Sequence, residues 1–125
     1  MSGISIPQKD WKSFLKRFSE RHAGWLVQLE AHGRKTDESV ASEVSALQSI
    51  ELDLEDKNNP RINVIMVSNK KEIKHILFRP SQVVLHMSEQ NGEDALQITS
   101  LNIDSTIRFR GAKVMNVLDA LDRAA

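Results

Sequence analysis

Trp11, Phe14, Leu15 and Phe18 fall at the i, i+3, i+4, i+7 spacing of one helical stripe, while Lys12, Lys16, Arg17, Glu20 and Arg21 take the other side. Pro7 suits a first helical turn, where its missing N–H would be orphaned anyway, and Gly24 suits a left-handed cap. The spacing therefore predicts a helix from near Pro7 to near Ala23. Beyond Gly24 the period changes to two. Trp25, Val27 and Leu29 alternate with Leu26, Gln28 and Glu30 as in a half-buried strand, which His32-Gly33-Arg34-Lys35 ends. Residues 36–49 read as a loop with room for a helical turn. Ile50, Leu52 and Leu54 then alternate with Glu51, Asp53 and Glu55, and after a turn over Asp56–Pro60 the segment Ile62–Val67 returns as the partner of a hairpin.

A second hairpin is expected around Pro80 and Ser81. With an even-length loop, Phe78 faces Val83 and Ile76 faces Leu85 on the inner side, which leaves Leu77 and Val84 outside and sets His75 opposite His86. A turn at Glu89–Asp94 leads to strands at Leu96–Ile98 and Ile107–Phe109, whose apolar residues point inward while Gln97, Thr99, Arg108 and Arg110 point out. After Gly111, the stripe Val114, Leu118 and Leu121 predicts a second helix over Ala112–Arg123. The expected architecture is a single α+β domain over residues 1–125. An N-terminal helix, an antiparallel sheet of about six strands in a meander and a C-terminal helix follow in order, with the helices on one face.

Charge and composition narrow the chemistry. With 17 basic and 17 acidic residues the chain has no cationic excess to release counterions from nucleic acid. Arg79, Arg108 and Arg110 make the best local basic group, but no tyrosine is present, and Phe78 and Phe109 occupy inward positions rather than stacking positions. Nucleic acid is therefore not expected as a partner. Cysteine is absent, which removes disulfides, thiolate nucleophiles and sulfur metal ligands. No signal region or membrane-length apolar run is seen, so a cytoplasmic location is expected.

The sharpest constellation is His75 with His86, because facing residues on antiparallel strands lie within about 5 Å, close enough to share a metal ion or sense pH. Two ligands are too few for a stable zinc site, and the plainer reading is two polar residues on a wet strand face. Glu51, Asp53 and Glu55 likewise form a regular, solvated row. His22 reads as a helix-end cation that complements the dipole or as a hydrogen-bond partner of terminal carbonyls. No catalytic or cofactor-binding motif occurs, so no cofactor and no catalytic residue are assigned. Charge is segregated, however: residues 36–56 hold seven acidic and no basic residues, whereas residues 57–80 hold six basic and one acidic. A neutral molecule with separated charge lobes complements its own copy, which favours a homo-oligomer.

The run Trp11-x-x-Phe14-x-x-x-Phe18-Ser19-x-x-His22-x-Gly24-Trp25-Leu26-Val27, with the later His75-Ile76-Leu77-Phe78-Arg79-Pro80 segment, resembles a family of small bacterial domains of unknown function. The resemblance spans roughly residues 11–110 and implies a small α+β domain without supplying an activity. The expected function is a non-enzymatic interaction or accessory domain that self-associates or meets another protein. The alternative is a small-ligand or metal-dependent site at His75 and His86.

Overall fold

The aromatic stripe forms helix α1 (Trp11–His22), which buries Trp11, Leu15, Phe18, Ser19 and His22 along one side. A short 3-10 turn at Gln8–Asp10 leads into it, and the Trp11 indole Nε1–H donates to the Ile6 carbonyl at 2.8 Å, tying the helix start to the incoming chain. Gly24 ends it at φ 86°, a backbone conformation that costs glycine little and an L-residue much more. The computed structural model describes residues 2–33, 39–41, 44–88, 92–101 and 103–113.

The remaining elements are strands: β1 (Ser2–Ser5), β2 (Trp25–Gly33), β3 (Ser39–Ala41), β4 (Ser45–Asp53), β5 (Arg61–Ser68), β6 (Lys71–Phe78), β7 (Gln82–Ser88), β8 (Gly92–Thr99) and β9 (Ile103–Lys113). All nine join one antiparallel sheet. Its order is β1-β7-β8-β9-β2-β4-β5-β6, with β3 added to β2. Both halves of the sheet contribute to one core, with Val83, Leu96, Ile98, Ile107 and Val27 from one half and Leu47, Ile50, Ile62, Val64, Met66 and Leu77 from the other. The sheet is folded over on itself. Segments far apart in its order touch: Leu101 N–H, between β8 and β9, donates to the Phe78 carbonyl at 2.9 Å, and His75 on β6 reaches Ser105 on β9.

The fold turns on a split. β2 pairs with β9 along its whole length but with β4 only at Leu26–Ala46 and Val27–Ser45, so β4 loses its neighbour beyond Ala46. There β4 also carries a bulge between Leu47 and Ser49. Helix α1 packs along this stretch. Gly24 N–H donates to the Leu47 carbonyl at 2.7 Å, and the Ser19 hydroxyl both donates to the Ile50 carbonyl, at 3.1 Å, and accepts from the Ile50 N–H. A helix side chain thus replaces the strand neighbour, because an exposed pair of backbone groups at a buried site would otherwise stay unsatisfied.

Three expectations are corrected. Among the described residues the fold is a nine-stranded antiparallel sheet with one short α-helix, not a two-helix α+β meander. Strand β9 continues through Gly111, Ala112 and Lys113, paired to Leu26 and Trp25, where the second helix was expected to start; residues 114–123 lie outside the described residues. The order of strands is not a meander either, since β2 sits between β9 and β4 and the chain crosses from β6, at one end of the sheet, to β7 near the other.

The Pro80-Ser81 turn is that crossover and not a hairpin. Arg79 adopts φ 48° and donates its N–H to the Pro60 carbonyl at 2.8 Å, while Ser81 N–H donates to the Thr99 carbonyl at 2.8 Å. β6 pairs with β5 and β7 with β1 and β8, so Phe78 faces Arg61 and Val83 faces Ile98. The inner face of β6 is then Leu77, 1% exposed, whereas Phe78 stands 46% exposed. A slip of one residue reverses every side chain of a strand, and Leu77 opposite the buried Ile62 sets the phase observed.

Ser19→Ala is expected to lower the unfolding free energy by about 1–3 kcal/mol, because it strands the buried Ile50 N–H and C=O. Ser13→Ala, which removes an exposed bond to the Asp10 carbonyl, should change it by less than about 0.5 kcal/mol. Urea denaturation of both variants makes the comparison.

Candidate interaction surface

The structure separates His75 from His86. His75 lies opposite Val64 on the inner side of β6, half-buried, with Nε2 at 3.5 Å from the Ser105 hydroxyl. His86 lies on the outer side of β7, opposite Ala95 on one neighbour and Gly3 on the other. A Cβ on Gly3 would stand 3.1 Å from the Val84 side chain and 3.2 Å from the His86 ring, a tight fit that glycine avoids where β1 approaches β7. The facing pair was an outcome of the hairpin expected at Pro80, and it falls with it.

His86 belongs to a hydrogen-bonded row across the outer face. Its Nε2 is 2.9 Å from the Gln97 Oε1; an amide oxygen only accepts, so Nε2 carries the proton. Gln97 Nε2 donates to both Asp104 carboxylate oxygens at 3.2 Å, and the Thr99 hydroxyl donates to the same carboxylate at 3.4 Å. Beside this row Arg108 Nε donates to Glu30 Oε1 at 2.8 Å, joining β9 to β2. These groups satisfy one another. Their geometry holds strands together and offers no cluster of three or more His, Asp or Glu placed to bind a metal ion among the described residues.

The arginines do not form one patch. Arg108 is engaged with Glu30, while Arg79 sits in the crossover, bordering a groove of about 480 Å³ with Asp56, Asn59, Arg61, Phe78 and Leu101. Arg110 is placed by its backbone on β9. In the groove wall, Asn59 Nδ2 and Asn58 N–H both donate to the Asp56 carboxylate, and these bonds hold its pKa below the ordinary carboxylate value. Of the two readings of His22, the structure shows the hydrogen bond: its Nδ1 lies 2.8 Å from the Phe18 carbonyl, and its ring packs against Phe18, Trp25 and Phe109 in the core.

The feature that sequence periodicity could not show is the free edge of β6. β5 and β6 are joined by a two-residue turn in which Asn69 and Lys70 both have positive φ, 52° and 65°, so Ser68 and Lys71 close the ladder as a hydrogen-bonded pair. Alternation then turns the backbone groups of Lys71, Ile73, His75 and Leu77 toward β5 and those of Glu72, Lys74, Ile76 and Phe78 away from it. The bond from Leu101 to the Phe78 carbonyl obeys this parity. Among the described residues β6 has only β5 as a strand neighbour. Lys71, Glu72, Ile73 and Lys74 are all exposed, Ile73 at 42%.

Among the described residues no helix is long and apolar enough to cross a membrane. The chain belongs to DUF5335, a family of unknown function whose family model matches residues 3–117, in agreement with the resemblance carried by Trp11–Val27. No curated protein and no solved structure matches the chain.

Partial burial of His75 disfavours its charged form and lowers its pKa from the ordinary 6.5. Between the folded value and 6.5 the unfolded chain binds more protons, so this residue's contribution to stability is present above pH 6.5 and is lost as pH falls toward the folded pKa. The urea midpoint should therefore drop more between about pH 7.5 and pH 5 in the unmodified protein than in His75→Gln.

Proposed function

We propose that this member of a family of unknown function is a non-enzymatic interaction domain that self-associates, with the free edge of β6 as its contact surface. The observation that carries this reading is the edge itself: an eight-residue strand at the end of the sheet, unpaired on one side among the described residues apart from the Phe78 carbonyl, with Ile73 and Phe78 both more than 40% exposed. Open strands of this kind accept another strand through main-chain hydrogen bonds, with alternate side chains setting specificity. Acidic residues lie on β4 and its following turn and basic residues on β6, with Asn63, Ile65 and Val67 of β5 between them; only Asp53 and Arg61 meet directly across β4 and β5.

A histidine site is not part of this reading, since His75 and His86 occupy opposite faces of the folded sheet. The paired outer-face groups, from His86 to Asp104 and from Arg108 to Glu30, are engaged in holding strands rather than in presenting a nucleophile or base.

Size-exclusion chromatography with light scattering is expected to give a mass that rises above the monomer value as concentration increases. A mass fixed at the monomer over the whole range would contradict the reading.

A further inference from the structure

We propose that the occupant of the β6 edge is a second copy of the chain, paired antiparallel about a two-fold axis through Ile73. The inference rests on the reading of β6 as a self-association surface and specifies its geometry. A two-fold axis makes an interface isologous, so residue i meets j and j meets i. Only registers that set outward-directed backbone groups against one another can form the ladder, which on β6 restricts the hydrogen-bonded pairs to Glu72, Lys74, Ile76 and Phe78.

Such registers place the axis at a residue between Glu72 and Phe78, and charge separates them: at Glu72 the two carboxylates oppose each other, and from Ile76 onward the pairing uses Phe78, whose carbonyl already accepts from Leu101. With the axis at Lys74, the two Lys74 residues oppose each other and like charge destabilises the pair. With the axis at His75, Lys74 faces Ile76 and Glu72 faces Phe78, leaving every charge without a partner and using Phe78, whose carbonyl already accepts from Leu101. With the axis at Ile73, Glu72 faces the partner's Lys74 and Lys74 faces the partner's Glu72. Both opposite-charge pairs lie on the outer face, and the two Ile73 side chains meet on the inner one. In this register the pairing runs over Lys71–His75 and ends at the Asn69–Lys70 turn, and it covers the segment in which four consecutive residues are exposed.

The same lysines also bear on selectivity. Lys71 and Lys74 on an open edge deter unselective strand addition, and in this register Glu72 of a second copy offsets that deterrent at Lys74.

The experiment is sedimentation velocity on the full chain, with Glu72→Lys, Lys74→Glu and the double exchange. Each single variant places like charges opposite each other twice and is expected to weaken dimerisation roughly tenfold. The double exchange restores opposite charges and is expected to return the dissociation constant to within about twofold of the unmodified chain. Both positions of change are exposed, and an unchanged urea midpoint for each variant shows that folding is not at issue. Ile73→Cys provides an independent readout. A facing non-hydrogen-bonded pair brings Cα atoms to about 4.5 Å, within the range a disulfide spans, and the chain has no other cysteine. Oxidation should yield a covalent dimer from Ile73→Cys and none from Ile4→Cys on the β1 edge. Dimers that persist unchanged through the charge exchanges, or fail to cross-link at position 73, would overturn the register while leaving self-association intact. Growth into open-ended species would overturn it in favour of head-to-tail β1 to β6 contact. A monomer at every concentration would remove the underlying reading as well.

Discussion

One constraint governs the rest of this structure: β2 and β4 part after Ala46, and the backbone groups exposed by that parting must be satisfied inside the protein. Helix α1 supplies the solution. Its large apolar residues fill the volume beside β4, and Ser19 meets both backbone groups of Ile50 just beyond the bulge. A polar group placed on an otherwise apolar helix face is expensive unless it is paired, and here the pairing is what locates the helix along the strand. The bond from Gly24 to Leu47 fixes the other end, so helix, cap and bulge act as one unit.

That unit determines which edges of the sheet are closed. β4 is covered by α1 where β2 leaves it, β2 is continued by β3, and β7 is lined by β1. The crossover at Arg79–Ser81 carries the chain from β6 back to β7, with backbone bonds to Pro60 and Thr99 on either side. β6 receives no comparable cover over Lys71–Lys74 among the described residues. The open edge is therefore a product of the topology, and its alternation of Lys, Glu and Ile gives it a defined chemical character rather than a uniformly adhesive one.

Much of this was legible before any coordinates. The 3.6-residue stripe gave α1 and its glycine stop, and period-two alternation gave β2, the β4–β5 hairpin and the inward residues of β7, β8 and β9, because each of those strands has one clearly more apolar face. β6 has two comparable faces, Ile73 and Leu77 against Ile76 and Phe78, so its own sequence does not say which is buried; the partner Ile62 does. The crossover was not legible since Pro80-Ser81 is also hairpin chemistry, and only the positive φ of Arg79 and its bond to Pro60 redirect the chain. The candidate histidine pair failed with that hairpin. The ion pair of Arg108 with Glu30 spans 78 positions and has no local signal, whereas the bond of His22 to the carbonyl four residues earlier follows from helix geometry alone. Gly111 illustrates a different limit: glycine ends many strands, but here it lies within β9 at an irregular register opposite Leu26.

The central claim is that β6 is ordered by β5 on one side and, among the described residues, open on the other. Amide hydrogen exchange measured residue by residue on dilute protein tests it most directly, because the two sides of one strand report separately. The account expects slow exchange at Ile73 and His75, fast exchange at Glu72, Lys74 and Ile76, and slow exchange at Ile50 where Ser19 accepts its proton. Uniform protection along β6 at concentrations where the protein is monomeric, or rapid exchange at Ile50, would contradict it.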